Sequence, residues 1–551
     1  MIHHSYTLLV TLAACVLDFV AFFNHHHAKA AALQLHFHNI CMHACTHNKY
    51  CRCCTPSCTS IQIHQDNKKE TASTMLYCTQ RQESTLSGTL VLLCPMWGVT
   101  TYLRKFCLSM CVPLSETSRI IWWQVYRLSI GAACGLWWPA DKLVIQVLDD
   151  STDAGIRAMV EAECRRWAGK GVQIRYENRS NRSGYKAGAM REGLKKGYAK
   201  DCELVAVFDA DFQPDADFLR RTVPVLQADP SVALVQARWR FVNADECILT
   251  RIQEMSLDYH FSVEQEVGSA CHGFFGFNGT AGVWRVQALA DAGGWKDRTT
   301  VEDMDLAVRA SMRGWRFVYA GDVQVRNELP SSFKAYRYQQ HRWSCGPANL
   351  MRKMFWEIVA SRQVSAWKKV HVLYGFFFVR KVVAHLVTFL FYCVVIPAYV
   401  LVGGQDVRLP KYVAMYVPAI ITLLNAVCTP RSWHLLVFWI LFENVMSMHR
   451  SKATIIGLVE ASRANEWVVT EKLGSVTSST PAATTTMATN KGATKKKKSQ
   501  SSILAPEIVM GLCLLYCAVY DIVFGHDHFY VYLLMQSAAA FVIGFGYVGS
   551  Q

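Results

Sequence analysis

At 551 residues the chain has room for one large domain and more, and its 52% hydrophobic content is high for a soluble protein. The excess lies after Leu373, in runs approaching the roughly 20 residues that cross a bilayer, so a wholly soluble protein is disfavoured. Net charge is +15, but the basic residues gather at the flanks of apolar runs, at 495–498 and near a set of acidic motifs. They do not interleave with aromatics, so an anionic substrate and a lipid bilayer are expected and nucleic acid is not.

Residues 1–120 read as an atypical leader. An apolar run at 7–23, broken by Asp18, suggests a weak membrane anchor. Eleven of the 21 cysteines lie in this leader, yet among Cys41, Cys45, Cys51, Cys53, Cys54 and Cys58, with His43 and His47, no two pairs have the Cys-x2-Cys spacing of a zinc site. The other ten are scattered, as in a protein kept reduced.

Strand and helix signals then alternate over 121–360, which predicts a layered α/β domain with a mostly parallel sheet. A buried strand at 143–148 ends in Asp149-Asp150; a helix follows at 153–168, closed by Gly169, then a strand at 172–176 and a basic helix at 185–198 opened by Gly184. The apolar run 204–208 predicts a strand carrying Asp209 and Asp211, whose spacing of two puts both carboxylates on one face. Such a pair suits Mg²⁺ or Mn²⁺ with a diphosphate completing the shell. Because open α/β sheets bind ligands beyond the carboxyl ends of their strands, Asp149 and Asp150 belong to the same crevice. Arg179, Arg182 and Lys186, at the entry of a helix, suit a diphosphate; a solvated basic loop is the plain alternative.

Beyond a strand at 232–239 and a long amphipathic helix at 245–267 comes Phe274-Phe275-Gly276-Phe277-Asn278-Gly279-Thr280. Its glycines permit close approach of backbone to ligand, and its rings suit the faces of a sugar, unless the segment is a buried turn. Thr299-Thr300-Val301-Glu302-Asp303-Met304-Asp305 opens a helix with acids in its first turn. If a sugar hydroxyl attacks an anomeric carbon, a carboxylate must take its proton, and Asp303 is the candidate. Gln339 and Arg342 share a face of a helix that follows Ser332; Arg342 suits a leaving diphosphate, and Trp343 an acceptor sugar.

The ordered set Asp149, Asp209-x-Asp211, Glu302-Asp303 and Gln339-x-x-Arg342-Trp343 resembles the signature of processive family 2 glycosyltransferases, the cellulose synthase superfamily. Stretches 182–188, 275–280, 296–305 and 336–349 look like the plant cellulose synthase-like A group, the glucomannan 4-β-mannosyltransferases, and the resemblance covers about 125–549. It implies a GT-A domain that transfers mannose from GDP-mannose, and glucose from GDP-glucose, to the 4-hydroxyl of a growing β-1,4-glycan, with inversion. It implies Mg²⁺ or Mn²⁺ on Asp209 and Asp211, donor contacts from Asp149, Lys186, Gln339 and Arg342, and Asp303 as base, with Asp149 counted among the catalytic residues. Acceptor contacts fall to Phe277, Asn278, Gly279, Thr280 and Trp343. Trp467, Thr470 and Lys472 are similar to a gating loop that closes over the nucleotide. A multi-pass Golgi membrane protein of cell wall synthesis, able to oligomerise with itself or related synthases, follows from the same resemblance. Two other readings stay open. One is a cellulose synthase-like C glucan synthase using UDP-glucose. The other is an inactive membrane subunit, because Arg119-Ile120-Ile121-Trp122-Trp123-Gln124 stands where the family carries a Gln-x-Pro-x-Tyr-Asn-Glu strand.

Membrane spans are expected at 382–402, 412–427, 505–524 and 529–548. The run 433–446 carries Glu443 and Asn444 and reads as an interfacial helix, so 361–448 holds interfacial and spanning helices, and 503–551 two more spans. Basic flanks place the catalytic region and 449–502 on the cytosolic side, with 475–502 disordered.

Overall fold

A computed structural model describes residues 117–151, 153–179, 181–402, 428–460, 503–525 and 528–549. The cysteine-rich leader, the span expected at 412–427, the gating residues Trp467, Thr470 and Lys472, and 475–502 lie outside the described residues.

The expected alternation is present. Helix α1 (Thr117–Cys134) leads into β1 (Ile145–Asp149), α2 (Ala154–Ala168), β2 (Ile174–Asn178) and α3 (Tyr185–Gly193). Asp153 caps α2, its carboxylate accepting from the Gly155 and Ile156 amides at 2.7 and 3.1 Å, which fixes the turn that follows Asp149-Asp150. Helix α3 stops five residues before its expected end. The Gly193 carbonyl accepts from Gln146 Nε2 on β1 at 3.2 Å, and a Cβ at Gly193 would lie 2.5 Å from the same amide, so the helix closes against the strand. Residues 119–124 are helical, part of α1, and supply no strand.

Strands β3 (Leu204–Val207), β4 (Gln213–Pro214), β5 (Val232–Phe241), β6 (Gly282–Arg285) and β7 (Arg316–Asn327) form a five-stranded sheet in the order β3-β6-β5-β7-β4, while β1 and β2 pair in parallel on their own. The sheet is mixed, not mostly parallel. Strands β3, β5 and β7 share one direction, and β6 and β4 run against them. The cause is the loop 274–281, which crosses the carboxyl end of β3, where the Ala281 amide donates to Val207 O at 2.8 Å. Chain entering the sheet from that end must run antiparallel. Each of β1 and β3 thus has an edge outside the described ladders.

Apolar residues of β5, β6 and β7 fill the core, with Trp284 fully buried and edge-on to Phe277 and Phe317 at centroid distances of 5.4 and 5.5 Å. Helix α4 (Phe218–Ala228) covers the sheet, and α5 (Ile248–Tyr259) continues through wider, π-type turns at His260–Gln265 and Gly268–His272. Helices α6 (Val286–Asp291), α7 (Glu302–Met312) and α8 (Phe333–Ala360) follow, α8 capped by Ser332, whose hydroxyl accepts from Ala335 N at 3.3 Å.

Helices α9 (Ala366–Val402, 37 residues) and α11 (Ala505–Phe524, 20 residues) are the two described helices long and apolar enough to cross a membrane. Helix α9 begins well before the span expected at 382, since nothing from Ala366 to Val382 breaks the helix. The last apolar segment forms a shorter helix, α12 (Tyr530–Gly544). The run expected to be interfacial at 433–446 belongs to a longer helix, α10 (Leu436–Val459), which takes in His449, Arg450 and Lys452. Arg450 pairs with Glu443 and donates to Gln340 Oε1 and to Tyr336 Oη on α8, both at 2.8 Å, so its charge is spent inside the protein.

Candidate active site

The strand expected to carry both Asp209 and Asp211 ends at Val207, and the chain turns there, the Phe212 amide donating to Asp209 O at 3.0 Å. A turn, not strand alternation, therefore directs the two carboxylates. The Asp209 amide donates to Thr280 Oγ1 at 2.9 Å, and Asp209 Oδ1 accepts from Lys186 Nζ at 2.5 Å. Lys186 also donates to Gly279 O at 2.8 Å, which brings together α3, the end of β3 and the loop 274–281. Gly279 has a φ of +80°, and a Cβ there would meet Asp303 Oδ2 at 2.8 Å. Glycine is required at that position by conformation and by space.

Glu302 and Asp303 enter from the first turn of α7. Burial, then the neighbouring Asp303 charge, pushes the Glu302 carboxyl up to about 7. Burial raises Asp303 too, against the opposing pull of Lys186, and its Oδ1 accepts from the Met304 amide at 2.7 Å. Two carboxyls side by side resist joint ionisation, and the pair gives up its protons as one site. Burial opposes the charge of Lys186, and Asp209 and Glu302 more than offset it, so its pKa is raised. Arg342 on α8 lies within the field of Glu302, Asp209 and Asp303; burial lowers its pKa and these acids work against that. Gln339 is buried one turn away. Lys186, Asp209, Glu302, Asp303 and Arg342 thus form one cluster from four parts of the chain.

A pH test follows for Glu302. Its raised pKa favours the folded ligand-free chain fully below about 4.5, and that contribution is lost as pH rises through about 7. Glu302→Gln, which mimics the protonated acid, is expected to match the parent at pH 4.5 and to be more stable at pH 8, by on the order of 3 kcal/mol. Thermal unfolding at both pH values measures this; an equal difference at the two would refute it.

Asp149 occupies a second part of the crevice. Its Oδ1 accepts from Ser151 N at 2.8 Å and its Oδ2 from Tyr176 Oη at 2.9 Å. Tyr126 on α1 feels the charges of both Asp149 and Asp211, although burial is the main cause of its raised pKa. Helix α1 thereby lends the crevice a side chain that no motif announced.

Several expected ligands are engaged elsewhere. Asp150 is clamped by Arg179, which donates from Nε at 2.8 Å and from Nη2. Arg179 also donates to Ser183 O at 3.2 Å and Tyr185 O at 3.0 Å, so both residues brace the loop ahead of α3 and neither waits for a diphosphate. Phe277 is 2% exposed and packs on Trp284 and Trp295; its face belongs to the core, not to a sugar. Thr280 is fully buried and serves Asp209 through its hydroxyl. Asn278 Oδ1 accepts from Gln265 Nε2 at 2.9 Å. Trp343 is half-buried beside Arg342 in the sequence of α8. Gln236, a lone amide in the apolar run of β5, donates to Thr280 O and Ala281 O at 3.0 Å. Its isolation among buried aliphatic residues was the available signal.

Residues 204–429 match the glycosyl transferase family group 2, a span that includes Asp209, Asp211, Asp303, Gln339 and Arg342. Glucomannan 4-beta-mannosyltransferase 1 of Cyamopsis tetragonoloba is 64% identical over 431 residues, covering 78% of this chain and 80% of that protein. Glucomannan 4-beta-mannosyltransferase 1 of Oryza sativa subsp. japonica is 63% identical over 429 residues, covering 78% and 81%. Among solved structures, a mannosyltransferase from Pyrobaculum calidifontis in complex with GDP-Man and Mn²⁺ shares 19% identity at a TM-score of 0.42, covering 62% of this chain and 84% of its own.

Proposed function

The chain belongs to the glucomannan 4-beta-mannosyltransferases of glycosyltransferase family 2, and from that premise we propose that it elongates a β-1,4-mannan or glucomannan backbone from GDP-mannose, and from GDP-glucose, in a Golgi membrane. The observation that carries the chemistry is the cluster around Asp303: a half-buried carboxyl with two cations, Lys186 and Arg342, in its field.

In this reading the acceptor 4-hydroxyl attacks the anomeric carbon of the donor while Asp303 takes its proton, and the C–O bond to the diphosphate breaks with inversion. Lys186 and Arg342 receive the charge that develops on the leaving diphosphate. Gln339, buried one turn before Arg342 on α8, is a further donor contact. Asp209 and Asp211 supply hard oxygen donors, and Asp209 already holds the Lys186 ammonium, so the position attracts positive charge. Among the described residues no group of three or more His, Cys, Asp or Glu gathers to hold an ion alone, so two carboxylates plus diphosphate oxygens would complete the shell of Mg²⁺ or Mn²⁺. Such an ion would neutralise the diphosphate. Asp149, with Tyr126 and Tyr176, borders the nucleotide. Asn278, Gly279 and Trp343 border the acceptor.

Membranes carrying the chain should incorporate labelled mannose from GDP-mannose into insoluble, mannanase-sensitive polymer when Mg²⁺ or Mn²⁺ is present. Glucan made from UDP-glucose instead would overturn the donor assignment. Donor binding without any polymer would favour the non-catalytic membrane subunit.

A further inference from the structure

A polar chain runs from α9 to the loop beside Asp303, through side chains that the mechanism above leaves unused. Glu264 lies in the π-type turn of α5 and is 17% exposed. It accepts from Arg380 Nε of α9 at 3.1 Å and from His260 Nδ1 at 2.7 Å. Burial opposes the Glu264 charge, but Arg380 and His260 outweigh it and hold the carboxyl well below the usual range. Glu264 is therefore a carboxylate, and His260 Nδ1 carries a hydrogen.

The other ring nitrogen faces the loop. His260 Nε2 lies 3.2 Å from Asn278 Oδ1 and 3.2 Å from Gln265 Nε2. The two hydrogens of the Gln265 amide already go to Asn278 Oδ1 at 2.9 Å and Gly276 O at 3.1 Å, so none is left for the imidazole. The ring thus lies between Asn278 on one side and Glu264 of its own helix on the other, with the α9 cations Arg380 and Lys381 beyond. Asn278 in turn precedes Gly279, which touches Asp303 and Lys186. Lys381 interacts electrostatically with both Glu264 and Asp303.

We infer that His260, held by Glu264 and Arg380, is a positioning residue that orients Asn278 and the 276–279 loop, and so couples the membrane helix α9 to the geometry of the acceptor side. Wider helical turns of this kind recur at functional sites, where they aim side chains that a regular helix would misdirect. The inference deepens the transferase reading and rests on it for its kinetic consequence. A loop displaced by about an ångström misaligns attack and costs on the order of 100-fold.

His260→Gln is expected to lower kcat/KM for the acceptor by about 10- to 100-fold while leaving GDP-mannose affinity unchanged. In an Asn278→Ala background the same change should have less than about a twofold effect, because the residue it acts through is gone. Arg380→Lys should retain most of the activity and Arg380→Gln should not. Equal losses in both Asn278 backgrounds would assign His260 a general structural role and overturn the inference. Hydrogen exchange of residues 274–281 in the purified chain gives a readout without turnover. It should quicken at least about tenfold in His260→Gln and Glu264→Gln, and unchanged exchange would overturn the relay even if GDP-mannose proved to be the wrong donor. Failure of the parent chain to use GDP-mannose, with exchange altered as expected, would fault the donor assignment alone.

Discussion

Asp303→Asn is expected to abolish polymer formation, a loss of about 10²- to 10⁴-fold, while donor binding stays within a few-fold of the parent. The carboxamide keeps the size and planarity of the side chain and can still meet the Met304 amide, which donates to Asp303 Oδ1 at 2.7 Å. It cannot accept a proton from an attacking hydroxyl. In the proposed mechanism donor affinity rests on other atoms, those of Asp209, Lys186 and Arg342, and removing one negative charge from their midst leaves the two cations freer to meet a diphosphate. Turnover measured with labelled GDP-mannose, beside equilibrium binding of the same donor, separates the two effects. Binding lost together with turnover would refute Asp303 as the base and make it part of the donor site.

Asp305→Ala, two residues along, should weaken the fold instead. Asp305 is fully buried, its Oδ1 accepting from Arg298 Nε at 2.9 Å and its Oδ2 from Arg309 Nε and Nη2 at 2.9 and 2.8 Å. Arg309 is itself 8% exposed, so the substitution strands a guanidinium in the interior. Removing one partner of such a buried pair costs about 3–5 kcal/mol, against a total stability of roughly 5–15 kcal/mol. Denaturant unfolding should show that loss, with donor binding and turnover disappearing together. A folded Asp305→Ala chain that binds donor but does not turn over would mean that Asp305, too, acts in the chemistry.

Much of the architecture was legible before folding. The helices expected at 153–168 and after Ser332 form, capped by Asp153 and Ser332, and the mostly apolar stretch from Ala505 to Phe524 is a helix long enough to span a bilayer. The acids Asp209 and Asp303, nearly a hundred residues apart, meet because each sits where a strand or a helix opens toward the same end of the sheet. Local pattern is enough for such features, since caps, periodicity and strand ends depend on neighbours in sequence.

Contacts made across the fold were not legible. The rings of 274–277 fit a sugar-binding loop and a core turn equally well as sequence, and only the arrival of Trp284 and Trp295 commits Phe277 to the core. Arg179 offers the same guanidinium to a diphosphate or to Asp150, and the fold supplies Asp150. Gln236, His260 and Gln265 bear on the loop through partners that sequence separates widely from them. Asp303 and Asp305 show the division most plainly. The sequence by itself determined that two like acids open α7, but the helix turns about 200° over two residues. That rotation aims one carboxylate at the crevice with Lys186 and the other at Arg298 and Arg309, and only the packing of α7 against its neighbours decides which acid faces the crevice and which is locked between two guanidinium groups.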